Sequence, residues 1–155
     1  MITQIIGQLV EKNPTQVVVD CNGVGYAINI SLNTFSQIGE EEKIKLYTHL
    51  QVREDAHTLF GFHTPIERSV FLLLISVSGI GASTARTMLS SLEPQQIQRA
   101  IISEDLNTIK SVKGIGLKTA QRVLIELKDK VMNLFDGAEI QILGDTAAKD
   151  AALSA

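Results

Sequence analysis

One twelve-residue pattern occurs twice in this chain, and the repeat limits the available folds more than any other feature. Ser78-Gly79-Ile80-Gly81-Ala82-Ser83-Thr84-Ala85-Arg86-Thr87-Met88-Leu89 realigns 35 residues later on Lys113-Gly114-Ile115-Gly116-Leu117-Lys118-Thr119-Ala120-Gln121-Arg122-Val123-Leu124. Six of the twelve pairs are identical: Gly79/Gly114, Ile80/Ile115, Gly81/Gly116, Thr84/Thr119, Ala85/Ala120 and Leu89/Leu124. Glycine lets the backbone turn tightly or with positive φ and puts no side chain in the way of an approaching group. Where such a turn opens a helix, successive N–H groups point outward at the positive end of the helix dipole. That is an anion site suited to phosphate. The Ile between the glycines is expected to pack inward and anchor the turn. After each turn the apolar positions recur at i, i+3, i+4 and i+7: Ala85, Met88, Leu89 and Leu92, then Ala120, Val123, Leu124 and Leu127. That spacing is the inner face of a helix.

Two other readings compete for the turns. One Gly-x-Gly before a helix is more often a plain helix start in an all-α protein. The second copy, in register and with a matching apolar face, weighs against that. A nucleotide-binding phosphate loop is the other rival. Lys118-Thr119 lacks the preceding glycine and five-residue lead of a Walker sequence, and no strand precedes it, so no ATP site is read.

The net charge of −3 is wrong for a nucleic-acid binder until it is divided along the chain. Residues 1–63 hold four Lys/Arg and seven Asp/Glu; residues 64–135 hold nine and six; residues 136–155 hold one and four. The basic surplus therefore sits with the repeat. At 155 residues the chain has room for one full domain or two small ones. Its longest apolar run, Val70 to Ile75, is far short of a membrane span. Met1-Ile2-Thr3-Gln4 shows no signal-peptide pattern, so a cytoplasmic protein is expected. Cys21 is the only cysteine, which excludes an internal disulfide. His49, His57 and His63 are scattered and form no ligand set, so neither metal nor cofactor is expected.

Residues 1–63 read as β. The strand candidates are Ile5–Val10, Gln16–Asp20, Val24–Ile30, Ile44–Leu50 and Thr58–Phe62. Asn22-Gly23 between the second and third is the strongest tight-hairpin signal. Five short strands with one long connection, Ser31 to Lys43, fit a small OB-like barrel. From Thr64 the pattern becomes helical, with Thr64 as cap and Pro65 at the first helical position. Glu93-Pro94 ends the helix that follows the first turn. Ile97 to Ile102 is a connecting helix, and Glu104-Asp105-Leu106 begins the next unit. After about Phe135 the chain loses periodicity and reads as a linker. The expected division is thus a barrel over 1–63, a tandem-hairpin all-α domain over 64–135 and a linker with the start of another domain over 136–155.

A helix–turn–helix unit with Gly-Ile-Gly in its turn resembles the helix-hairpin-helix DNA-binding motif. The expected ligand is backbone phosphate, because nothing here is shaped to read base edges. Binding is then sequence-independent and salt-sensitive. The candidate contacts are Gly79, Gly81, Ser83 and Thr84 in the first copy, and Gly114, Gly116, Lys118, Thr119 and Arg122 in the second. Lys113, Lys118 and Arg122 give the second copy more charge, so it is expected to grip more strongly. Between the last two strands, Gln51 to His57 is expected to be an exposed loop. On composition alone, Glu54 and Asp55 are a solvated tip.

The barrel, the tandem hairpins and Arg53-Glu54-Asp55-Ala56 in the last barrel loop together resemble the RuvA family, the junction-recognising subunit of the bacterial branch-migration machine. The matching stretches are Asn22 to Tyr26, Thr48 to Ala56, Phe60-Gly61-Phe62, Ser78 to Gly81 and Gly114 to Ala120, which span most of residues 1–135. The resemblance implies a homotetramer, single or as two stacked tetramers, holding an open four-way (Holliday) DNA junction. It implies that Glu54 and Asp55 form an acidic pin at the centre, that a separate ATPase, RuvB, is the motor, and that the RuvC resolvase joins. The subunit itself would be non-catalytic. This sequence departs from the family at Ala82-Ser83, where Pro-Lys often stands. Its last residues look like the first turns of a motor-docking domain, so the chain is expected to be truncated. The rivals are a junction nuclease or glycosylase, for which no carboxylate cluster is evident, and a general helix-hairpin-helix duplex-binding scaffold.

Overall fold

The computed structural model describes residues 1–134. The expected 136–155 segment lies outside them. Five strands form a closed barrel: β1 (Gln4–Lys12), β2 (Gln16–Cys21), β3 (Val24–Asn29), β4 (Lys43–Val52) and β5 (His57–Phe62). The order around the barrel is β1-β2-β3-β5-β4, and β1 pairs with β4 to close it. All neighbours are antiparallel except β3 and β5, which are parallel. That mixed order is the OB arrangement, as the strand count and long connection suggest. β1 serves both halves: Gln4 to Gln8 pairs with β4 and Gln8 to Lys12 with β2. A register shift between Leu9 and Glu11 bends it around the corner. Asn22 and Gly23 both take positive φ, 54° and 94°, as a tight hairpin of this kind demands.

The barrel interior is aliphatic. Val17, Val19, Ile28 and Leu46 are fully buried, and they alternate with outward residues along their strands. The long connection is not bare loop. It holds a short helix, α1 (Leu32–Gln37), capped by Ser31, whose side chain accepts from Thr34 N–H.

The helical part follows directly: α2 (Pro65–Ile75), α3 (Ala82–Ser91), α4 (Pro94–Ile102), α5 (Leu106–Lys110) and a last helix, α6, over residues 117–134. Thr64 caps α2 by accepting from Glu67 N–H, with Pro65 in the first turn. Pro94 opens α4 after α3 has stopped at Ser91. Helical and barrel parts share apolar packing. Phe60 and Phe62 of β5 lie against Phe71 of α2, with ring centroids 5.2 and 4.9 Å apart. Phe71 and Leu74 are fully buried, which stabilises by about 1.5–3 kcal/mol each.

Candidate nucleic-acid interface

The two repeats fold alike to the level of single hydrogen bonds. Ile80 N–H donates to Val77 C=O and Ile115 N–H to Val112 C=O, both at 3.1 Å. Val77, Val112, Ile80 and Ile115 are all buried, so each turn is stapled from beneath. The inward Ile expected from sequence is found in both copies. Gly79 and Gly114 take φ of +96° and +91°. An L side chain rarely adopts that conformation, which is why the first glycine of each turn is glycine. Gly81 and Gly116 serve a different end. Ala85 N–H donates to Gly81 C=O and Ala120 N–H to Gly116 C=O, each at 3.0 Å, as the first bond of its helix. A Cβ built at either glycine meets nothing within 4 Å, so both open to solvent.

The start of α3 is left uncapped. Side chains of Ser31, Thr64 and Asp105 accept from the first turns of α1, α2 and α5, and Gln96 accepts from Glu93 N–H at α4. At Gly81 no side chain does so. The first N–H groups of a helix have no partner within it. Those of Ala82, Ser83 and Thr84 therefore remain donors at the positive end of the dipole, beside an open glycine. That is what a phosphate oxygen requires.

The structure brings the two turns together. Arg122 Nη1, on α6, donates to Ser78 C=O of the first turn at 3.2 Å. Thr119 Oγ1 lies 3.8 Å from where a Gly79 side chain would begin. Ser83, Lys113, Lys118 and Arg122 are exposed; Thr84 and Thr119 are half-buried. Arg122 thus has a structural duty besides its charge.

Glu54 and Asp55 stand elsewhere. The β4–β5 ladder runs out to Val52 and His57, further than expected. The loop is a four-residue tip closed by Arg53 N–H to Ala56 C=O at 2.9 Å. Both acids are exposed at the end of this ribbon, and no hydrogen bond or ion pair ties either to a hairpin among the described residues. Among those residues, no group of three His, Cys, Asp or Glu side chains could hold a metal ion. No helix there is long and apolar enough to cross a membrane.

Sequence reasoning missed Glu67. It is completely buried, at 0% exposure, between α2 and α1. Ser31, Asn33 and Thr34 all donate to its carboxylate. Burial pushes its pKa up, and those three hydrogen bonds oppose the shift. The only signal in the sequence is an acid in the first turn of a capped helix, which reads as a surface residue.

Comparison with known proteins accounts for both halves. Residues 1–61 match the model of the RuvA N-terminal domain, and residues 71–129 match that of a SAM-like helix-hairpin-helix tandem. A Christiangramia forsetii protein named Holliday junction branch migration complex subunit RuvA is 59% identical over 155 residues, 100% of this chain and 80% of that protein. The chain belongs to the RuvA family. The protein of the same name from Flavobacterium psychrophilum is 57% identical over the same shares of both chains. That from a Janthinobacterium species is 46% identical over 148 residues, 95% of this chain and 75% of the relative. The RuvA N-terminal match ends within β5 and the helix-hairpin-helix match begins at Phe71 in α2, so the end of the barrel falls between them.

Proposed function

We propose that this chain binds four-way (Holliday) DNA junctions, as the non-catalytic DNA-binding subunit of a branch-migration complex. The observation that carries the reading is the pair of stapled Gly-Ile-Gly turns, tied to each other and open at Gly81 and Gly116. Their N–H groups, with Ser83, Thr84, Lys118, Thr119 and Arg122 beside them, would take successive backbone phosphates of a duplex arm. Such contacts fix the protein on DNA and carry no base information.

Residues 1–63 would supply the acidic pin and residues 64–135 the grip. In a four-fold homotetramer, alone or with a second stacked on it, the Glu54/Asp55 tips meet near the axis where strands cross. Their charge there repels phosphates and favours an open crossover. The motor would be the separate ATPase RuvB, with the resolvase RuvC joining on the junction, all in the cytoplasm.

A gel shift on a four-way junction beside linear duplex of equal length tests the reading. A clear preference for the junction is expected. Equal affinity for the two would favour a general duplex-binding scaffold instead.

A further inference from the structure

The connection between β3 and β4 is pinned at both ends. At its start, Ser31 Oγ donates to Glu67 Oε1 at 2.5 Å, while Asn33 Nδ2 and Thr34 Oγ1 donate to Oε2 at 3.1 and 2.8 Å. Thr34 Oγ1 also accepts from His63 N–H at 3.1 Å. Leu32 N–H donates to Ser90 Oγ on α3 at 3.0 Å, and Ser90 Oγ donates on to Arg86 C=O at 2.9 Å. At the far end, Lys12 Nζ donates to Ile38 C=O at 2.8 Å and lies 5.0 Å from the centre of the Phe35 ring. One six-residue helix is therefore fastened to β1, to α2 and to α3, the two helices that flank the first Gly-Ile-Gly turn.

Stability alone does not explain this. Phe60, Phe62 and Phe71 already join barrel to helices with apolar area, and apolar attraction has no preferred direction. Taking a carboxylate out of water is costly, and its donors chiefly offset that cost, so net stability is a weak reason for such a group. What it adds is a fixed orientation. The strand that follows α1 is β4, which carries the acidic tip.

We propose that α1 is a strut, anchored by Glu67 and Ser90 as positioning residues, which holds the acidic tip at a set distance from the phosphate-gripping turns and so sets the preference for a junction over plain duplex. The inference rests on the junction-binding reading above. Selectivity of this kind comes from repulsion against the wrong partner. A tip free to swing aside would exert none, and duplex would be accepted as readily as a crossover.

The test uses Thr34→Val and Ser90→Ala, singly and together, in the full chain. Affinities for a four-way junction and for equal-length duplex are measured together with the melting temperature. The double variant is expected to lower the junction-to-duplex ratio by about fivefold, the lower end of typical couplings between sites. A parallel fall of both affinities, or an unchanged ratio, would overturn the strut. A second readout needs no DNA. Spin labels at Ala56→Cys and Gln121→Cys, in a Cys21→Ser background and diluted into unlabelled chain, report the distance from tip to α6. The double variant is expected to broaden that distribution, and an unchanged width would also overturn the strut. If the unaltered chain fails to prefer the junction, the binding reading fails, and the label widths still judge α1.

Discussion

Arg122 Nη1 on α6 donates to the carbonyl of Ser78, 44 residues earlier, in the first Gly-Ile-Gly turn. A cation of one hairpin thus holds the backbone of the other. The carbonyl it binds immediately precedes Gly79, whose positive φ sets the direction of the turn. The pair makes two short repeats a single surface, with both open glycines carried on one tied unit.

This dual duty separates Arg122 from Lys118 in a salt titration. Lys118 is exposed and makes no hydrogen bond among the described residues. Lys118→Ala is expected to weaken binding equally for all DNA sequences and to reduce the log–log salt slope by about one. Arg122→Ala is expected to weaken binding more for a smaller change in slope, because it also frees the first turn. Affinity measured across a salt series distinguishes them; equal losses with equal slope changes would reduce Arg122 to a plain phosphate contact.

The four turn glycines should divide into two classes. Gly116→Ala and Gly81→Ala meet open space, so the melting temperature is expected to hold while DNA affinity falls. Gly114→Ala and Gly79→Ala force a side chain into positive φ, at a cost of about 1–2 kcal/mol in stability. Thermal melting beside a binding assay checks the division. Loss of stability at Gly116 would show that its openness is not what keeps it glycine.

How much of this was legible beforehand follows the range of each signal. The turns, their inward Ile residues and the Thr64-Pro65 start are local patterns of a few residues, and the structure has them as read. The five strands are visible from alternation, although β4 extends two residues and β5 one residue nearer the tip because ladder pairing recruits Val52 and His57. Helix α1 leaves no readable signal in the sequence. At six residues it is too short to show a period, and Ser31 as its cap reads equally as loop. Glu67 and the Arg122–Ser78 bond were invisible for another reason. Both depend on partners 33 to 44 residues away, which no spacing rule encodes.

Glu67 gives a pH signature. Its pKa is raised in the folded protein, mainly by burial. The folded state then holds the proton more tightly than the unfolded one. The contribution to stability is present in full below the ordinary carboxylate range and is lost as pH rises through the raised folded value. Glu67→Gln, which cannot ionise, is expected to remove that part of the decline. Urea unfolding of both proteins from acidic to neutral pH measures it; identical pH profiles would mean that the three donors cancel the effect of burial, and a wild-type stability that rises with pH relative to Glu67→Gln would mean that they outweigh it. Glu67→Ala is expected to be worse at every pH, because Ser31, Asn33 and Thr34 are left facing no acceptor. Each such loss typically costs about 1–3 kcal/mol.

The acidic tip is expected to act against DNA. Glu54 and Asp55 are exposed at the end of a paired ribbon and make no internal bond among the described residues, so their removal should leave the fold intact. In a tetramer four such pairs would gather near one axis. Their repulsion is felt by any phosphate there, and a continuous duplex laid across the centre presents more of it than an open crossover does. Glu54→Gln with Asp55→Asn is therefore expected to tighten duplex binding and to lower the junction-to-duplex ratio, with an unchanged melting temperature. The effect should shrink at high salt, because exposed charges are screened over about 8–10 Å near physiological ionic strength. Competition between labelled junction and unlabelled duplex at two salt concentrations reads both changes. A ratio that stays constant in the double variant would mean that selectivity arises in the hairpins alone and that the tip is a solvated turn.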